Sequence, residues 1–426
     1  MKIRTINKGY DEVMAIEPKK RKKPMKTSMF FRILIMLLSI FSLPRGFSHR
    51  KIGMEKLGKK EPCMILMNHS SFVDFKIAAS ILFPRAFNII TTSDGMVGKS
   101  WLMRWIGCIP TQKFITDLNL VRDINYAVKT LKSSVLMYPE ACYSFDGKAT
   151  ALPESLGHMI KRLGVPLVMI KTYGAFNRDP LYNCLQIRKV KVSADMKYLL
   201  SPEELQNMSA DEINAVIREE FSFDNFKWQQ ENKVKIDEPF RADGLNRVLY
   251  KCPHCLTEGK MEGKGIHITC HECGKKYELD EYGYLRATEG ETKFSHVPDW
   301  YAWERECVKE ELLSGEYRLD KTVDVYMLVD TKGLYRVGEG RLVHSAEGFH
   351  LTGCDGKLDY VHHPLGSYSL NADYFFYEIG DVICIGTPKI LYYCFPKGDE
   401  DVVAKTRLAT EELYKILSAE KENNGR

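Results

Sequence analysis

A chain of 426 residues, 44% of them hydrophobic, is long enough for two or three domains with ordinary cores. Its net charge of +5 is too modest to point to a nucleic-acid binder, and twelve cysteines spread over such a length exclude a secreted disulfide framework. Eight of them, Cys63, Cys108, Cys142, Cys184, Cys307, Cys354, Cys384 and Cys394, are scattered as free thiols are in a reducing compartment, so the bulk of the protein is expected in the cytosol.

The charge is unevenly distributed. Lys19, Lys20, Arg21, Lys22, Lys23 and Lys26 precede an apolar run from Met29 to Leu43, broken only by Arg32, Ser39 and Ser42. A helix over that run rises about 22 Å, short of a hydrocarbon core of about 30 Å. Leu43-Pro44-Arg45-Gly46-Phe47 makes a poor signal-peptide cleavage site. A buried core helix is the plain alternative. The adjoining basic cluster favours a membrane-seated or shallowly inserted helix, its collar facing anionic headgroups, and residues 1–50 are read as this segment.

From 51 to 235 the pattern alternates. Met64–Met67 has the length of a buried strand, and Ser70/Ser71 predict a helix from near Phe72. His69 then sits at the mouth of a strand-to-helix turn with Asp74 about one turn into the helix. An imidazole held in one tautomer by a carboxylate can take a proton from an alcohol. The spacing alone is weak: His350 and Asp355 repeat it in a Gly-rich region with no following helix. Further on, Phe87–Thr91 reads as a strand, Lys99–Ile106 and Asp117–Leu131 as helices, Val135–Tyr138 as a strand, Ser155–Leu163 as a helix and Pro166–Thr172 as a strand. Such alternation predicts an α/β layer with a largely parallel sheet. Two capping boxes, at Ser201 and Ser209, predict helix to about Asn232.

Two segments fall at predicted strand ends: Gly107-Cys108-Ile109-Pro110-Thr111-Gln112-Lys113, and Tyr138-Pro139-Glu140 followed by Ala141-Cys142-Tyr143-Ser144. Together with His69 and Asp74, and with Val165-Pro166-Leu167-Val168 after a helix, this succession resembles the glycerophospholipid acyltransferase family of lysophosphatidate acyltransferase type, over roughly residues 28 to 200. The resemblance implies transfer of a fatty acyl group from acyl-CoA or acyl-carrier protein to a lysophospholipid hydroxyl, most directly lysophosphatidate to phosphatidate. It makes His69 and Asp74 the catalytic pair and Lys113 and Glu140 the residues that hold the acceptor. Three departures stand out. Tyr143 replaces the family's arginine and Ala141 its glycine, and Lys113 stands where arginine is commoner, which weakens bidentate phosphate recognition. An acyltransferase with a different acceptor and a catalytically lapsed lipid-surface scaffold are therefore the rival readings.

Residues 236–290 carry the strongest motif. Cys252-Pro253-His254-Cys255 and Cys270-His271-Glu272-Cys273 are two knuckles spaced as in zinc ribbons, giving four thiolates tetrahedral access to one structural Zn²⁺. Iron, as in rubredoxin-like sites, is the alternative metal, and His254 or His271 the alternative ligands. Lys260, Lys264, Lys275 and Lys276 are offset by Glu258, Glu262, Glu272 and Glu278, so no nucleic acid is expected. Residues 291–320, with Trp300 and Trp303, read as a linker. From 321 to 426 about seven short strands and one closing helix, Val402–Leu417, resemble a pleckstrin-homology or GRAM-type roll at the level of topology.

Overall fold

A computed structural model describes residues 2–17, 21–115, 117–398 and 401–424. Lys19 and Lys20 of the basic cluster lie outside these. A first strand, β1 (Thr5–Asn7), joins the C-terminal half of the chain and is followed by the helix Met29–Ser42.

The central sheet is built from β2 (Ser48–Ile52), β3 (Met64–Met67), β4 (Phe87–Thr92), β5 (Cys108–Thr111), β6 (Ser134–Met137), β7 (Leu167–Tyr173) and β8 (Ser193–Leu200), in the order β2-β8-β7-β3-β6-β4-β5. Every pairing is parallel except β7 with β8, so the sheet is mixed. Strand periodicity explains the layers. Ile65 and Met67 of β3 face one apolar cluster with Ile77, Ala78 and Ile81 of the helix Asp74–Leu82. Met64 and Leu66 face a second, with Ile124, Leu156, Ile160, Ile213 and Ile217 from helices on the opposite side. The helical stretch to Asn232 comes as three short helices, two of them opened by the Ser201 and Ser209 capping boxes.

A four-stranded antiparallel sheet follows: β9 (Met261–Lys264), β10 (His267–Cys270), β11 (Lys276–Leu279) and β12 (Leu285–Ala287). The expected linker is largely an 18-residue helix, Val297–Ser314. Trp300 is fully buried and its indole N–H donates to the Lys251 carbonyl at 3.0 Å, which is what turns this stretch from connector into core.

The C-terminal unit holds seven strands, β13 (Leu319–Leu328), β14 (Leu334–Ser345), β15 (Gly348–Gly353), β16 (Leu358–His362), β17 (Asn371–Phe376), β18 (Gly380–Gly386) and β19 (Leu391–Pro396), closed by the helix Val403–Asn424. The order is β16-β15-β14-β13-β19-β18-β17, with β1 pairing parallel to β14 through Ile6 and Tyr335. One apolar cluster runs from Phe145 and Phe176 beside the central sheet through Cys252, Tyr277 and Trp300 to Val323, Tyr374 and Leu408. The three units share that core.

Candidate active site at the carboxyl ends of the parallel strands

Because β3, β4, β5 and β6 run parallel, the residues that follow them gather at one edge of the sheet: His69, Asp94, Lys113 and Glu140. After β3, Asn68 pins the turn to β7. Its Oδ1 accepts the Thr172 N–H at 2.8 Å and its Nδ2 donates to Ser70 Oγ at 3.2 Å. The next helix begins at Asp74 rather than near Phe72. The reason is local: Asp74 Oδ2 accepts the Ser70 and Ser71 amides at 2.7 and 3.0 Å, folding the intervening residues into a turn.

The same oxygen lies 3.2 Å from His69 Nδ1. With Nδ1–H donated to a buried carboxylate, the Nε2 lone pair is the free basic position. Burial holds the His69 imidazole below its ordinary pKa; Asp74 pulls the other way, and the Lys113 ammonium adds to the lowering. His350, the matching spacing elsewhere, pairs with Asp359 on the neighbouring strand at 2.8 Å, on an exposed surface.

Glu140 is 2% exposed. Its Oε2 accepts the His69 N–H at 2.8 Å and its Oε1 the Thr150 N–H at 3.1 Å. Both oxygens are therefore committed to backbone, which puts Glu140 behind the histidine turn as a positioning residue instead of in front of an acceptor. Burial pushes its carboxyl up to about 7, against the pull of those two amides. Ala141 adopts φ +57°, the left-handed conformation that glycine takes without a Cβ penalty.

Three neighbours of the histidine were not legible as such. Tyr138 and Tyr143 stack on its two faces, centroids 4.2 and 4.1 Å away, confining approach to the plane of the ring. Ser71 Oγ donates to Asp179, itself paired with Arg178 at 3.0 Å. Tyr143 occupies the position where the motif departs from its usual arginine, and that departure was the available signal. Asp179 had none, since it follows β7 a hundred residues on.

The C-terminal unit seats on this same edge. Tyr377 donates to Asp94 at 2.9 Å, Ser367 to the Phe114 carbonyl at 3.1 Å and Gln112 to the Pro388 carbonyl at 2.9 Å, while Arg407 reaches the Tyr143 carbonyl at 3.4 Å. Lys113 lines a narrow cleft between the two units, with Ser369, Asn371 and Cys384 on the far side.

Away from this edge, Cys252, Cys255, Cys270 and Cys273 bring their sulfurs within 4.8 Å of one another. The Cys252–Cys273 and Cys255–Cys270 separations are 3.8 and 3.7 Å. Tetrahedral bonds of about 2.3 Å to one Zn²⁺ require sulfurs about 3.8 Å apart, so the donor set fits. His271 is taken by Glu262 at 3.0 Å and His254 is exposed, leaving the thiols as the ligand set.

No curated protein matches the chain. A solved structure, the 1-acyl-sn-glycerophosphate (LPA) acyltransferase PlsC from Thermotoga maritima, is similar at 17% identity and a TM-score of 0.31, over 46% of this chain and 80% of that one. Residues 48–171 match the family model described as Acyltransferase, the stretch that contains His69, Asp74, Lys113 and Glu140. The central sheet with its helices is an acyltransferase-like α/β domain.

Proposed function

We propose that this protein transfers a fatty acyl group from a thioester, acyl-CoA or acyl-carrier protein, to the hydroxyl of a lysophospholipid at the cytoplasmic face of a membrane. The observation that carries the reading is the His69–Asp74 pair at the carboxyl edge of the sheet, with Nδ1 tied at 3.2 Å and the side chain 19% exposed. His69 Nε2 takes the proton of the acceptor hydroxyl as its oxygen attacks the thioester carbonyl. The C–S bond then breaks and the thiolate leaves with the proton from the imidazolium. A thiolate leaves readily, so one base suffices without a covalent enzyme intermediate. Asp74 fixes the tautomer and stabilises the transient cation, and Glu140 holds the turn that carries both. The motif succession implies lysophosphatidate as acceptor, with Lys113 toward its phosphate.

Membrane seating is supported by the outward apolar face of the helix Met29–Ser42, where Phe30, Leu38 and Phe41 are exposed. Trp101 and Trp105 are exposed too, and Trp105 packs edge-on against Phe31 of the same helix, extending the apolar face. Among the described residues no helix is long and apolar enough to cross a membrane. The four cysteines are proposed to hold a structural Zn²⁺, which would tie the 252–255 turn to the β10–β11 hairpin and leaves no coordination position open for chemistry.

One observation favours the lapsed-scaffold reading: Tyr138 and Tyr143 cover both faces of the imidazole. Purified protein given acyl-CoA or acyl-carrier protein and a panel of lysolipids separates the two. Thiol release is expected, and His69→Ala should lower it by about 10²–10⁴-fold, the usual share of a general base. No release with any acceptor would leave the scaffold standing.

A further inference from the structure

The loop that covers one face of the histidine is fastened from the far end of the chain. Arg407, on the closing helix Val403–Asn424, is 3% exposed. Its Nε donates to Glu411, one turn on, at 3.3 Å. Its other two contacts are to the loop after β6: a guanidinium N–H donates to the Tyr143 carbonyl at 3.4 Å, and the flat face of the group lies over the Phe145 ring at 4.5 Å. Among the described residues no backbone N–H reaches that carbonyl. Phe145 is wedged in turn against Tyr374 of β17, ring centroids 4.4 Å apart.

The helix has no need of an arginine here. Glu411 already has Arg305 at 2.7 Å and the Ser369 hydroxyl at 2.6 Å, and Arg305 also pairs with Glu412 at 2.8 Å. A second buried guanidinium costs desolvation that an apolar side chain of similar volume would not. What a planar, fork-shaped cation adds is a simultaneous hold on a carbonyl and on a ring face. Between those anchors and the base stands Tyr143, its ring flanked by His69 at 4.1 Å and Phe72 at 5.5 Å. Ring contacts alone let an aromatic side chain slide, so the place of Tyr143 is set through its backbone.

Resting on the acyl-transfer reading for the role of His69, we propose that Arg407 is a positioning residue: it holds the loop so that Tyr143 stays stacked on the imidazole. The C-terminal unit thereby shapes the surroundings of the base without touching it. The charged and titratable groups that face the imidazole are Asp74, Lys113, Tyr138 and Tyr143, with Glu140 at its backbone. Arg407 acts on Glu140 only through space. Its route to His69 is Tyr143, which shields one face of the ring from water.

The test follows the titration of His69 in the full-length protein, read by mass spectrometry as the pH dependence of deuterium exchange at its ring C2 position, alongside thiol release. Arg407→Met keeps the volume and leaves Glu411 paired with Arg305. Loosening Tyr143 lets water onto a ring whose pKa burial holds down, so the His69 midpoint should rise toward 6.5, and kcat should fall about tenfold or more with KM little changed. Tyr143→Ala should do the same, and the double variant should show no further rise. A direct effect of the guanidinium charge would persist in the Tyr143→Ala background, so additive shifts overturn the proposal, as does an unmoved midpoint in a folded Arg407→Met. Where Arg407→Met fails to fold, Phe145→Leu removes the ring contact without altering a charge: a raised midpoint supports the hold and an unmoved one overturns it. Exchange needs no turnover, so the two readings separate. Coupled shifts without acyl transfer remove the enzyme and keep the hold; transfer with uncoupled shifts does the reverse.

Discussion

His69 is held from four sides: Asp74 at its Nδ1, Glu140 at its backbone N–H, and a tyrosine ring on each face. Each contact restrains a different degree of freedom, and the Nε2 edge in the ring plane is what they leave. A base must be neutral to work. Because burial lowers the His69 pKa below 6.5, the acid limb of kcat/KM should turn over below pH 6.5 and activity stay level above it. Lys113 lowers that value and Asp74 raises it, so Lys113→Gln should move the limb to higher pH and Asp74→Asn to lower pH. A pH–rate profile for each variant reads both signs, and shifts in the opposite directions would dissociate the titration from this histidine. The histidine, its aspartate and the Pro-Glu segment could be picked out in the chain because short-range order carries them. Glu140's turn from ligand to brace could not, since the two amides it accepts are contributed by residues 71 positions before and 10 after it.

At the level of elements, buried strands were the readable part. Met64–Met67 and Val135–Met137 are uninterrupted apolar runs that only a sheet covered on both faces explains. The strands of the C-terminal unit are longer than their apolar runs, because polar residues such as Arg336, Glu339 and Arg341 continue β14 on its exposed face. The helix Met29–Ser42 keeps large side chains outward that a soluble helix would turn in, and Arg104 binds the Lys22 and Lys23 carbonyls at 3.2 and 3.0 Å, fixing the basic collar beside it. Leu38→Asp combined with Phe41→Asp should therefore cut binding to anionic vesicles by about tenfold or more, at the usual 1.5–3 kcal/mol per fully buried apolar side chain. Sedimentation with vesicles measures it, and an undiminished bound fraction would rule this helix out as the seat.

Over the whole molecule the units are interdependent. Cys252 and Cys270 are fully buried in the same cluster as Phe145, at the foot of the loop that carries Tyr143, and as Tyr374 of β17. Phe145 packs on Tyr374 at 4.4 Å, and the Arg407 guanidinium lies over Phe145 at 4.5 Å. Loss of the proposed metal should consequently be felt at a site it does not touch. Elemental analysis is expected to find one zinc per chain, and Cys252→Ser with Cys270→Ser should lower both the melting temperature and acyl transfer. A metal-free variant with full stability and activity would uncouple the four-cysteine cluster from the site at His69. None of this coupling was visible in composition or motif, because the partners come from segments more than a hundred residues apart and meet through packing rather than through any shared signature.

The pairing of β1 with β14 has a consequence for synthesis. Ile6 cannot find Tyr335 until more than three hundred further residues have been made, tens of seconds at about 5–20 residues per second. Throughout that interval the leading strand is untethered while the greasy helix behind it is already out of the ribosome and free to meet lipid. On the proposed membrane seating, the order of manufacture lets this helix land before the belt is fastened.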